Sequence, residues 1–205
     1  MYEKAVNKKR EYEQMAFFVP FEKGKERFFK DDFSIIRENV LLGDNVIIRE
    51  HCIIGANPRI PMLQEGSTDL TSKFGIKIGS DVFIGAFSNI NLGLTQDTII
   101  EDDVVIHSYV LIAENSHVYK GANISPGVKI GGNSSIGENT IIGLGAVIRN
   151  RIKIGSNSIV GMGSVVVKDI PDGVIAYGNP CVVHDKNTVP AKIVRKVVRE
   201  IKKVI

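Results

Sequence analysis

From Ile100 onward the chain carries an aliphatic residue at every sixth position, through Ile106, Ile112, Val118, Ile124, Ile130, Ile136, Ile142, Ile148, Ile154, Val160 and Val166. The register never slips. A period of six matches neither the 3.6 of a helix nor the simple alternation of a strand, but it suits short strands separated by corners at fixed intervals. Three strands then close one coil of 18 residues, and successive coils stack as parallel strands about 4.8 Å apart. The predicted fold class is therefore all-β, a parallel β-helix whose interior is filled by the aliphatic column. Small or β-branched residues two positions earlier, such as Val104, Ser116, Ala122, Ser134 and Ala146, fit beside the corners. Gly131, Gly137, Gly143, Gly155 and Gly161 directly follow interior residues, where a sharp turn is expected.

The same step appears earlier at Ile36, Leu42, Ile48 and Ile54 and resumes at Ile78, Ile84 and Ile90. Two loops are implied, at 57–75 and 91–98. Long insertions in a solenoid that does not need them are candidates for function. The domain organisation expected is an N-terminal segment, 1–32, partly helical; the β-helix proper, 33–183; and a tail, 184–205. The stretch AKIVRKVVREIKKVI in the tail has apolar residues at helical spacing.

With 18 residues per coil, the residue before each interior aliphatic sorts onto one of three faces. One face carries Val105, Asn123, Ile141 and Ile159, and the second carries Leu111, Lys129, Val147 and Val165. The third carries Ile99, His117, Ser135 and Lys153. Two largely apolar flat faces predict burial against further copies, and a closed ring of three, a homotrimer, is the natural solution for a triangular prism. His107, at the corner between the apolar faces, reads as a hydrogen-bonded histidine near the trimer axis. The next corner carries Ala113-Glu114-Asn115, Gly131-Gly132-Asn133 and Arg149-Asn150-Arg151 in successive coils. A carboxylate, a glycine backbone and two arginines suit a base, an oxyanion donor and phosphate contacts.

A formal charge of +3 over 205 residues gives no global case for nucleic acid as a partner. Cys52 and Cys181 stand far apart with no CxxC or Cys/His ligand spacing, so reduced thiols and no metal are expected. No stretch of about 18 apolar residues occurs, and the expectation is a cytoplasmic protein without a membrane span.

The hexad pattern from Ile36 to about Val183 resembles the hexapeptide-repeat proteins, whose fold is a left-handed parallel β-helix. Within that class, VFIGAFSNINLGLTQDTIIEDDVVIHSYVLIAENSHVYKGANISPGVKIGG resembles two groups of acyltransferases. One comprises N-acyltransferases acting on UDP-linked glucosamine; the other comprises bacterial sugar acetyltransferases that use acetyl-CoA, including those that modify sialic acid. IPDGVIAYGNPCVV resembles the terminal coil of the second group. The resemblance implies an acetyl-CoA-dependent acetyltransferase acting on an amino or hydroxyl group of a sugar, one linked to a nucleotide, in surface polysaccharide biosynthesis.

It also implies roles for residues. The position where these relatives keep a catalytic histidine is occupied here by Glu114. The backbone N–H that holds the acyl carbonyl one coil later maps to Gly132. Glu114, with His117 as substitute, is the candidate base; Gly131, Gly132, Arg149 and Arg151 are candidate contacts to coenzyme A. Asn115 and Asn123 are candidate contacts to the sugar. A carboxylate is a weak base at neutral pH unless it is desolvated; alternatively the acceptor amine enters neutral and orientation does most of the catalysis. The exchange of histidine for glutamate keeps open a non-catalytic scaffold that binds a partner. A γ-type carbonic anhydrase-like metalloenzyme would need an HxxxxH pair, which this chain lacks.

Overall fold

The computed structural model describes residues 28–30, 33–57 and 74–188. These build a parallel β-solenoid of about seven turns, consistent with the left-handed β-helix, and no helix occurs among the described residues. The helices expected in the N-terminal segment and tail, and most of the 57–75 loop, lie outside them.

Three sheets form the prism. The first runs from Phe28–Lys30 through Val46–Ile48, Phe83–Ile84, Val105–Ile106, Asn123–Ile124, Ile141–Ile142 and Ile159–Val160 to Val174–Tyr177. Its last member, Val182–Lys186, is antiparallel to Val174–Tyr177, so the expected boundary after residue 183 falls inside a strand. At the other end, Phe28–Lys30 pairs with Val46–Ile48, so pairing begins inside the expected N-terminal segment. The second sheet comprises Ile35–Ile36, Ile53–Ala56, Asn89–Asn91, Leu111–Ile112, Lys129–Ile130, Val147–Ile148 and Val165–Val166. The third comprises Val40–Leu42, Ile76–Ile78, Thr98–Ile100, His117–Val118, Ser135–Ile136 and Lys153–Ile154.

The register follows from the period. Ile106 pairs with Ile124 and Ile124 with Ile142, each one coil on, so identical side chains stack along the axis. Ile48, Ile54, Ile84, Ile106, Ile112, Ile124 and Ile142 are fully buried in one continuous core. Each such side chain contributes about 1.5–3 kcal/mol through removal from water. The small residues beside the corners also act as hydrogen-bonding seams: Ser134 Oγ donates to the Arg149 carbonyl at 3.1 Å and accepts from the Ile152 N–H at 3.2 Å.

The glycines after the interior residues serve a different purpose from the one their position suggests. The left-handed conformation lies two residues further on, at Asn115, Asn133, Arg151 and their equivalents, with φ of 57°, 59° and 62°. Asparagine tolerates that region better than most residues. At Gly131 the constraint is close approach, because a Cβ would come within 2.5 Å of the Asn150 backbone nitrogen in the next coil.

The apolar face expected to pack on another copy is partly covered within one chain. Val105 is fully buried and Phe83 nearly so, in a small outer cluster with Ile47. On the second sheet, Val147 and Lys129 are exposed, and Leu111 and Val165 are half-buried.

Candidate active site

The corner between the second and third sheets brings the expected machinery together. Glu114, Gly132 and Asn150 occupy its second position in three successive coils, flanked by Gly131, Arg149 and Arg151. Backbone hydrogen bonds stitch the coils: the Asn133 N–H donates to the Glu114 carbonyl at 2.8 Å, and the Arg151 N–H to the Gly132 carbonyl at 2.9 Å. The Glu114 carboxylate lies directly against Gly132, where a Cβ would overlap Glu114 Oε1. The Gly132 N–H has no hydrogen-bond partner among the described residues. Arg149 and Arg151 are exposed in the coil after it. A carboxylate thus packs on a glycine with an unused N–H, and two cationic side chains lie next along the axis.

Asn115 is buried at 4% exposure and every polar group it has is engaged. Its Oδ1 accepts from three consecutive N–H groups, those of Leu94 at 2.7 Å, Thr95 at 3.1 Å and Gln96 at 3.4 Å. Its Nδ2 donates to Asn133 Oδ1 at 3.2 Å, its N–H to Thr98 Oγ1 at 3.0 Å, and its carbonyl accepts from Gln96 Nε2 at 3.1 Å. The residue expected to touch a sugar instead fastens the loop between Asn91 and Thr98. That loop is held at its other end by Asp97, which accepts from the Gly75 N–H at 2.9 Å and pairs with Lys77 at 2.6 Å. The Gly75 hydrogen bond first, and Lys77 second, keep the Asp97 carboxyl below its ordinary range.

Two other candidates lie apart. His117 stands on the third sheet in register with Ile99 and Ser135. Its Nε2 lies 2.8 Å from Glu101 Oε1, and its ring stacks on Tyr119 with centroids 3.8 Å apart. Glu101 also accepts the Lys120 N–H at 3.0 Å. Asn123 is buried on the first sheet, in register with Val105 one coil earlier and Ile141 one coil later. Burial holds the His107 imidazole below its ordinary pKa, and the neighbouring Asn123 side chain offsets this only in part. Sequence reasoning missed Glu101, Thr98 and Gln96. Glu101 and His117 are sixteen residues apart, off the hexad step, so the period gave no signal for the pair.

The corner between the first and second sheets carries a ladder of rings. Phe33, His51, Phe87 and Tyr109 stack in order, with centroids 5.2, 4.8 and 5.0 Å apart. Its column continues as Gly127, Gly145 and Gly163, all at positive φ. Such stacked pairs contribute about 0.5–1.5 kcal/mol each.

Cys52 and Cys181 are free and buried, and burial raises both thiols. Among the described residues no three His, Cys, Asp or Glu side chains converge as a metal site would require. No helix among them is long and apolar enough to cross a membrane.

No protein-family model matches the chain. In sequence it is similar to the UDP-3-O-acylglucosamine N-acyltransferase of Hydrogenovibrio crunogenus, 30% identical over 94 residues, which is 45% of this chain and 27% of that protein. The enzyme of the same name from Chromohalobacter salexigens is 33% identical over 84 residues, 40% of this chain and 24% of its own. The matched segment thus spans about a quarter of the length of these relatives. Among solved structures, a UDP-N-acetylglucosamine acyltransferase from Bacteroides fragilis has a TM-score of 0.73 at 18% identity, over 87% of this chain and 71% of that one. That from Campylobacter jejuni has a TM-score of 0.65 at 21% identity, over 88% and 80%. The acetyltransferase domain of PglB from Neisseria gonorrhoeae, solved with acetyl coenzyme A, has a TM-score of 0.50 at 20% identity, over 77% and 57%. The chain therefore has the fold of the hexapeptide-repeat acyltransferases and resembles members of that superfamily in sequence over part of its length.

Proposed function

We propose that the protein is an acyltransferase that moves an acetyl group from acetyl-CoA to an amino or hydroxyl group of a nucleotide-linked sugar, in the cytoplasm, for surface polysaccharide. The observation that carries this reading is the Glu114 carboxylate packed on Gly132 beside an unused backbone N–H. Further support comes from the names of the proteins it resembles, which are acyltransferases of UDP-linked sugars, and from the acetyl coenzyme A bound to one neighbour in fold.

In the proposed step the acceptor nitrogen or oxygen attacks the thioester carbonyl carbon. The new C–N or C–O bond forms as the carbonyl oxygen takes up negative charge, which the Gly132 N–H stabilises. Glu114 accepts the acceptor's proton. Collapse of the intermediate breaks the C–S bond, and the proton returns from Glu114 to the departing thiolate. Arg149 and Arg151 are assigned to the phosphates of coenzyme A, as exposed guanidinium groups in the coil beyond Gly132. The exposed part of the second sheet is assigned to a homotrimer interface, which would bring a neighbouring copy beside this corner.

The test is release of coenzyme A thiol from acetyl-CoA in the presence of a panel of UDP- and GDP-linked aminosugars. Acceptor-dependent thiol release with an acetylated sugar by mass spectrometry is expected. Binding of neither acetyl-CoA nor any acceptor would favour the non-catalytic scaffold.

A further inference from the structure

We infer that Asn115 is a positioning residue that makes the loop between Asn91 and Thr98 the acceptor-selecting wall of the site; this rests on the acyltransferase reading above. The loop occupies the same corner as Glu114, one coil earlier, and is one of the two places where extra residues break the hexad register. A flexible insertion there would leave the space beside Glu114 undefined. This one is built rigidly. Three successive N–H groups converge on a single buried oxygen, Asn115 Oδ1. The loop also folds so closely on itself that a side chain at Gly93 would strike the Gln96 carbonyl. The Leu92 N–H donates to the Ala56 carbonyl at 2.9 Å, and the Gly93 N–H to the Gly75 carbonyl at 3.2 Å.

The other end of the same amide reaches the catalytic corner. Asn115 Nδ2 holds Asn133, the neighbour of Gly132, and the Asn133 N–H holds the Glu114 carbonyl. One buried side chain therefore fixes the loop relative to both the proposed base and the proposed oxyanion donor. Thr95 and Gln96 are the exposed residues of the loop, so its solvent-facing rim, one coil before Glu114, is polar. A hydroxyl and the Gln96 amide oxygen suit a sugar bearing hydroxyl or acylamino groups, and they offer little to a bare aliphatic acceptor.

The conformation of Asn115 dictates the variant. Its φ of 57° is strained for most side chains, so Asn115→Ala would mix backbone strain with loss of the amide. Asn115→Gly removes the amide without that strain. Asn115→Asp keeps an acceptor for the three N–H groups and loses the donor to Asn133. Asp97→Ala loosens the loop from its far end without touching the Glu114 corner.

Amide hydrogen exchange of the loop and steady-state kinetics are measured together on these variants, with acetyl-CoA and the best acceptor of the sugar-nucleotide panel. In Asn115→Gly the N–H groups of Leu94, Thr95 and Gln96 are expected to exchange at least tenfold faster. The acceptor KM should rise at least tenfold while the acetyl-CoA KM stays within twofold. Asn115→Asp should restore the loop's protection and most of the acceptor KM, and Asp97→Ala should raise acceptor KM in the same direction. Unchanged exchange in Asn115→Gly overturns the clamp. Faster exchange with an unchanged acceptor KM, or equal rises in both KM values, overturns the selecting role. Wild-type protein that turns over no acceptor overturns the acyltransferase reading and the selecting role with it, while the exchange data still judge the clamp.

Discussion

The carboxylate of Glu114 rests on the backbone of Gly132, one coil further along the axis, so closely that a methyl group at position 132 would displace it. Two variants of Gly132 therefore do different damage. Gly132→Ala keeps the N–H but pushes the carboxylate aside, whereas Gly132→Pro also deletes the donor. Gly132→Pro is expected to lower kcat by about 10²–10³-fold, the usual cost of losing one oxyanion donor. Gly132→Ala should be the milder of the two. Rates are compared on protein of unchanged size by gel filtration; full turnover in Gly132→Pro removes the oxyanion assignment.

Arg151 is exposed and sits at φ 62°, a conformation that asparagine adopts more readily. Arg151→Asn should therefore leave the unfolding midpoint unchanged or higher. If the guanidinium meets a coenzyme A phosphate, the acetyl-CoA KM should rise about tenfold or more, the worth of a charge-assisted hydrogen bond, with kcat little changed. The contact should also weaken with salt. An unchanged KM at low salt removes Arg151 from the donor site.

His107 supplies a pH signature. Burial depresses its folded-state pKa below that of the unfolded chain. In the window between the two values the unfolded state binds more protons, so stability rises with pH there. Its contribution is present above the ordinary imidazole pKa and is lost as pH falls through the lower, folded value. Urea unfolding between pH 7.5 and about pH 5, around the ordinary imidazole value near 6.5, should show stability falling with acid. His107→Gln should flatten that slope. An identical slope in the variant would assign the acid sensitivity to other groups.

The architecture was legible because the period of six is a direct image of the coil. Once Ile106, Ile124 and Ile142 stack one coil apart, the sheets and the corner shared by Glu114, Gly132 and Arg151 follow by counting. What escaped counting lies off the period. The Glu101–His117 pair spans a diagonal between coils, and the Asn115 clamp depends on how an inserted loop folds back. The turn glycines misled for a physical reason: Gly131 answers to the backbone of the next coil, while the left-handed residue is Asn133. Val105 looked like an interface residue because exposure of a face cannot be read from its apolar character alone; it is buried within the single chain.

The most direct measurement is the rate of acetyl transfer from acetyl-CoA to the best sugar-nucleotide acceptor by wild type, Glu114→Gln and His117→Gln. Glutamine preserves the shape of Glu114 and removes its basicity. The assignment of Glu114 as the base requires a fall in kcat of about 10²–10⁴-fold in Glu114→Gln, the range for loss of a general base, with acetyl-CoA KM unchanged and a milder effect in His117→Gln. Wild-type turnover that survives Glu114→Gln would contradict it.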